Sequence, residues 1–107
     1  MRKSLNKEKI LEILRKERSY LYEKYGIEKI AIYGSFAKGH PKNMSDVDIL
    51  VKLKRPLGLE FVGLAYYLEE KLGREVDLAT FKSFQRSLKD PRYKHIAASI
   101  EKTLKYV

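Results

Sequence analysis

The 107-residue chain contains no cysteine. It must therefore hold its shape without a disulfide, which is compatible with a reducing compartment. Thiolate zinc ligation is excluded too, and the two histidines, His40 and His95, have no partner at ligand spacing, so both are expected to be exposed. Amides and methionine are also scarce: Asn6, Asn43 and Gln85 are the only side-chain amides, against abundant Lys, Arg and Glu. That balance is the one associated with proteins of hot environments. No long apolar run is present. The opening "MRKSLNKEKI" is basic but lacks the hydrophobic segment that a secretion signal or membrane span requires, so a cytoplasmic protein without a membrane is expected.

What the chain does have is positive charge. Lys and Arg number 23 against 14 acidic residues, for a formal net charge of +9. The cations are scattered, the longest cluster being "KLKR" at residues 52–55, so a solvated basic surface that attracts anionic ligands is favoured over a nucleic-acid footprint. With 44% hydrophobic and 35% charged residues the composition is that of a folded globular chain. A chain of this length reads as one domain over residues 1–107, burying roughly two-thirds of its unfolded surface.

Hydrophobic periodicity predicts the elements. A helix is expected over residues 6–25, with Ile10, Leu14, Leu21 and Tyr25 on one face and Gly26 as its stop. "EKIAIY" at residues 28–33 is short, β-branched and ends at Gly34, as a strand feeding a turn does. Residues 46–53 form a second strand and residues 59–72 a helix carrying Phe61, Ala65, Leu68 and Leu72 inward. "REVDLAT" alternates as a third strand. In the last segment Asp90 is expected to cap a helix with Pro91 at its first position, and Tyr93, Ala97, Ile100, Leu104 and Val107 to lie on one stripe. The pattern implies an α/β (α+β) domain, a small mixed β-sheet flanked by helices. There is no internal repeat or low-complexity segment.

The chemistry is concentrated in "YGSFAKGHPKNMSDVDILV", residues 33–51. Side chains alternate along a strand, so Asp46 and Asp48 share one face while Val47, Ile49 and Val51 take the other. Two carboxylates so close repel each other unless a cation lies between them. Mg²⁺ suits such a site, because it takes oxygen ligands and is commonly held by one or two carboxylates plus substrate phosphates. Asp77 can supply a third carboxylate if its strand neighbours the second. Upstream, Gly34 lets backbone amides approach a phosphate, Ser35 adds a hydroxyl donor at the start of a short helix, and Lys38 adds positive charge. Ser45 organises the turn before Asp46. Gly34, Ser35, Lys38 and Ser45 are thus the candidate nucleotide-binding residues, and Asp46, Asp48 and Asp77 the candidate catalytic and metal-binding residues.

"GSFAKG", then "SDVDILV", then "EVDL" resembles, over nearly the whole chain, the signature of the polymerase β-like nucleotidyltransferase superfamily, and in particular its minimal nucleotidyltransferase (MNT) branch. Three elements in order make the resemblance specific; an isolated Asp-x-Asp would not. The resemblance implies that Gly34 and Ser35 hold the β- and γ-phosphates of ATP, that Asp46 and Asp48 hold two Mg²⁺ ions, and that Asp77 completes the metal site and accepts a proton from the attacking hydroxyl. It further implies a helical HEPN-domain partner, with AMP transferred to a tyrosine of that toxin by its antitoxin. Lys38 stands where many MNT proteins have arginine, a point charge replacing a planar fork. Two other readings stay open: an inactive module that neutralises its partner by contact, and a basic RNA-binding domain. An exposed apolar stripe on a helix of so small a domain points to a homo- or hetero-oligomer.

Overall fold

The computed structural model describes residues 5–39 and 46–107; His40 and Ser45 lie outside the described residues. Helix α1, Lys7–Tyr25, begins where the Asn6 side chain accepts the Lys9 amide and ends at Gly26 in the left-handed region, φ 70°. Its buried residues are the four expected, Ile10, Leu14, Leu21 and Tyr25. Strand β1 (Ile27–Tyr33) leads into a single-turn helix α2 (Gly34–Lys38). Strand β2 (Val47–Leu53), helix α3 (Glu60–Leu72) and strand β3 (Val76–Thr80) then follow. The sheet order is β3-β2-β1-β4, where β4 is the two-residue strand Lys105–Tyr106. β1 pairs antiparallel with β2 and β4, whereas β2 and β3 are parallel, so the sheet is mixed. The parallel pair requires a crossover, and α3 provides it.

One sheet face carries the main core. Val47, Ile49 and Val51 of β2 and Ile30 and Ile32 of β1 pack against Ile10, Leu14 and Leu21 of α1 and Leu64, Leu68 and Leu72 of α3. The buried stripe of α3 is therefore centred on Leu64, while the expected Phe61 and Ala65 are only half-buried at its margin. Tyr67 on α3 donates to the Glu17 carboxylate on α1, tying the two helices together. On the outer side of α3, Leu59, Val62 and Tyr66 are exposed, the unpaired apolar stripe anticipated for a helix of this domain.

The second face departs from expectation. Residues 81–89, for which no helix was expected, form α4 (Phe81–Lys89), with Thr80 as its N-cap accepting from the Ser83 amide. Phe81, Phe84 and Leu88 recur at helical spacing and pack with Leu50, Ala79 and Tyr33 of the sheet and with Ala97 and Ile100 of α5 (Lys94–Thr103). Asp90 does not start the last helix. It ends α4, and its carboxylate accepts from the Arg92 backbone amide at 2.9 Å, holding a turn through residues 91–93. Pro91 thus sits in a turn, and α5 begins at Lys94, three residues later than expected. Nor does the helical stripe reach Val107: the helix ends at Thr103, and Lys105–Tyr106 pair with β1 instead, where open sheet hydrogen bonds outcompete another helical turn.

This second layer tests directly. Leu50 is almost fully buried under α4 and α5. Leu50→Ala is expected to cost about 2–5 kcal/mol, the range for emptying a buried leucine site. Urea unfolding measures it, and a loss below about 1 kcal/mol would show that the two helices are not packed on the sheet in solution.

Candidate functional site

The parallel pairing of β2 and β3 sets Asp48 directly opposite Asp77, and the antiparallel pairing of β1 and β2 sets Tyr33 opposite Asp48. Tyr33, Asp48 and Asp77 therefore form one row across three strands, on the face opposite Val47 and Ile49. The hydrophobic pattern enforces this: slipping either strand by one residue would turn every core side chain outward. The Val47 amide donates to the Glu75 carbonyl at 2.9 Å, extending the pairing to the start of the row. Asp46 precedes β2 and is exposed, Asp48 is half-buried, and Asp77 is exposed on the edge strand.

Electrostatics confirm that the carboxylates feel one another. Burial first, then Asp77, then Asp46 pushes Asp48 up from its ordinary value of 3.8 to about 6. Tyr33 is pushed up to about 12 by burial, with Asp77 and Asp48 adding to it, so its hydroxyl stays protonated. Among the described residues no three His, Cys, Asp or Glu side chains close into a ready-made cage. A hard cation bound by one or two carboxylates and completed by phosphate oxygens does not need one. The donor set, acidic oxygens without sulfur or imidazole, fits Mg²⁺.

Gly34 sits against this row. Its φ of +74° is one that side chains with a Cβ rarely adopt. A Cβ built there would lie far inside the contact distance of Asp48 Oδ2 and 3.2 Å from its Cγ. The glycine is thus required twice, by backbone geometry and by the carboxylate filling the space beside it. It also opens α2, whose N-cap Tyr33 makes no side-chain capping bond, so no side chain competes for the first amides. Ser35 is half-buried at that end and Lys38 is exposed at the other. Gly34, Ser35, Asp48 and Asp77 are thereby brought together, whereas Ser45 lies outside the described residues.

Two residues of this region escape a reading of the sequence. Tyr33 reads as a strand-end aromatic, and only the register reveals it as a neighbour of the carboxylates. Arg74, just before β3, holds its guanidinium 5.4 Å from the centre of the Phe36 ring of α2, steadying the short helix that carries Gly34 and Ser35. Alternating hydrophobicity signals neither.

Two outcomes follow. Gly34→Ala is expected to destabilise the protein, and pairing it with Asp48→Ala should return part of the loss, because Asp48 Cβ lies an ordinary 3.6 Å from the added methyl. A double-mutant cycle in urea should give a coupling of about 0.5–3 kcal/mol, and strict additivity would show that the carboxylate does not occupy that space. The second concerns pH. Because the folded value of Asp48 (about 6) exceeds its ordinary 3.8, the folded protein holds that proton more tightly; the stability it contributes is complete below pH 3.8 and lost as pH rises through 6. Metal-free parent protein should accordingly lose stability relative to Asp48→Asn across this interval, and parallel stability profiles would refute the shift.

Comparison with known proteins identifies the family. A family model described as "Nucleotidyltransferase domain" matches residues 7–107. The candidate protein adenylyltransferase MJ1217 of Methanocaldococcus jannaschii is 40% identical over 99 residues, covering 92% of this chain and 94% of its own length. Protein adenylyltransferase MntA of Thermococcus cleftensis is 39% identical over 85 residues, covering 78% of this chain and 86% of its own. Among solved structures, a toxin–antitoxin crystal structure with AMP-PNP aligns at a TM-score of 0.54 and 30% identity over 74% of this chain, which spans 60% of that chain. An MntA–HpeT toxin–antitoxin variant aligns at a TM-score of 0.60 over 97% of this chain and 72% of its own, and at 23% identity that likeness is one of fold. Matched by the family model from α1 to its last residue, and by adenylyltransferases across most of their length, the chain belongs to the nucleotidyltransferase-domain family, as a minimal member of the polymerase β-like superfamily.

Proposed function

We propose that the protein is a Mg²⁺-dependent adenylyltransferase that moves AMP from ATP to a protein hydroxyl, a tyrosine of a helical HEPN toxin, and so acts as the antitoxin of a pair. The observation that carries this reading is the register placing Asp48 opposite Asp77 with Gly34 packed against the Asp48 carboxylate. The relatives named as protein adenylyltransferases and the toxin–antitoxin structure with AMP-PNP support it.

In this reading the amides of Gly34 and Ser35 and the Ser35 hydroxyl hold the β- and γ-phosphates, with Lys38 adding positive charge nearby. Asp46, Asp48 and Asp77 would hold Mg²⁺, two ions when the site is full; when bound they neutralise charge on the transferring phosphoryl group. The partner's hydroxyl oxygen attacks the α-phosphorus, the bond to the β-phosphate oxygen breaks, and pyrophosphate leaves with its electron pair. Asp77, the exposed member of the row, accepts the hydroxyl proton. Asp48 is less suited to that role, being half-buried and enclosed by Gly34. Tyr33 keeps its proton and so remains a donor toward the acidic row.

The test is Asp46→Asn with Asp48→Asn, which preserves shape while removing two anionic ligands. The variant is expected to co-purify with the helical partner but to add no AMP mass to it in intact mass spectrometry after incubation with ATP and Mg²⁺. Activity should fall by at least about a thousandfold, since electrostatic stabilisation of the transferring group is the largest contribution in such sites. A partner modified by the variant would remove these aspartates from the mechanism. A parent complex that forms yet leaves its partner unmodified would favour neutralisation by contact.

A further inference from the structure

The face of the sheet that bears Asp48 changes sign along its length. Four residues further along β2 lies Lys52, about 13 Å from Asp48 at strand rise, with the Leu50 layer under α4 and α5 between them. There a groove of about 1040 Å³ opens between the ends of β2 and β3 and the start of α4. Lys29, Lys52, Lys54, Arg55 and Lys82 line it, and among the described residues no Asp or Glu does. All five are exposed.

The ion pairs Lys7–Glu8, Lys16–Glu12 and Arg92–Asp90 use none of these cations. Lys54 lies 4.8 Å from the centre of the Tyr22 ring and also feels Glu28, a residue outside the groove lining. Lys29 and Lys52 are direct cross-strand partners. Like charges directly opposite on antiparallel strands oppose folding, and an anionic ligand would relieve that repulsion. One wall is aromatic: Phe81 and Tyr106 lie nearly parallel, 6.0 Å between centroids and 6° between planes, and Tyr106 is 56% exposed. Below them Leu53, Leu57 and Phe61 contribute apolar surface.

We infer that this groove binds single-stranded RNA, at a site separate from the acidic row. Spaced cations that track a phosphate backbone beside an accessible aromatic ring are the combination that single-strand binding uses, because stacking needs bases with free faces. An acidic polypeptide would satisfy the lysines but has no planar groups for the aromatic wall. A duplex hides its base faces from that wall altogether. The scattered cations of the sequence are gathered here by the strand register, which brings Lys29 to Lys52, and by α4, which brings Lys82.

Fluorescence anisotropy of the full chain with a labelled single-stranded RNA of about 12 nucleotides tests the inference. Binding is expected to weaken steeply from about 50 to 200 mM salt. Replacing both cross-strand lysines, Lys29→Gln with Lys52→Gln, should lower the magnitude of the log affinity against log salt slope by about 1.4, two phosphate contacts on a single strand. Tyr106→Ala and the strand-favouring Tyr106→Val should both weaken binding at least about fivefold while Tyr106→Phe retains it, separating stacking from loss of the short strand. Neither ATP with Mg²⁺ nor polyglutamate should displace the RNA. Absence of binding at low salt, unchanged binding in the lysine and Tyr106→Ala variants, displacement by ATP, or equal affinity for duplex RNA or polyglutamate would each overturn it.

Discussion

Burial of one face of β2 forces the carboxylates of neighbouring strands together. Asp48 and Asp77 face each other across the parallel pair of β2 and β3, with Asp46 one step outside, and Asp48 is displaced upward first by its burial and then by these two neighbours. The core enforces the arrangement, since Val47, Ile49 and Val51 are fully buried on the opposite face and any shift of register that parted the acids would expose them. Hydrophobic burial, a large and non-directional stabilisation, thus holds in place a small electrostatic destabilisation, one that a divalent cation would relieve.

Gly34 belongs to the same constraint. The Asp48 carboxylate fills the volume a Cβ would take, so the tight turn from β1 into α2 and the acidic row are one packing unit. A nucleotidyl transfer site needs phosphate donors and metal ligands a few ångströms apart, and this contact brings the start of α2 against the row. The stacking of Arg74 over Phe36 and the burial of Phe36 and Ala37 fasten α2 from the other side.

Much of this is legible in the sequence, and the reason is periodicity. The four buried residues of α1, the strand alternation around Asp48 and the left-handed glycine at position 26 follow from local rules, and they match the structure. The pairing of Asp48 with Asp77 is legible only conditionally, because strand order is a property of the whole chain; the family resemblance supplies what periodicity cannot. The misreadings cluster after Thr80. There a cap at Thr80 and a Phe81, Phe84, Leu88 stripe were available as signals for α4, but a proline after an aspartate imitates a helix start so well that the break was assigned to the wrong side of Pro91. Likewise Lys105–Tyr106 is strand because β1 offers an open edge, a long-range fact absent from the local pattern.

The late elements also explain why one sheet face can host opposite charges. α4 and α5 cover Leu50 and Ala79, inserting an apolar barrier between the acidic row and the lysines at 29 and 52. The two ends lie about 13 Å apart along β2, beyond a Debye length of roughly 8–10 Å, so charges that meet solvent are largely screened from one another. A chain of net charge +9 thus carries an acidic row and a cationic groove on the same sheet. The placement of α4 follows from Phe84, packed with Leu50 and Ala97, and from the Thr80 cap, so separation of the two ends is a consequence of apolar packing and helix capping rather than of the charges themselves.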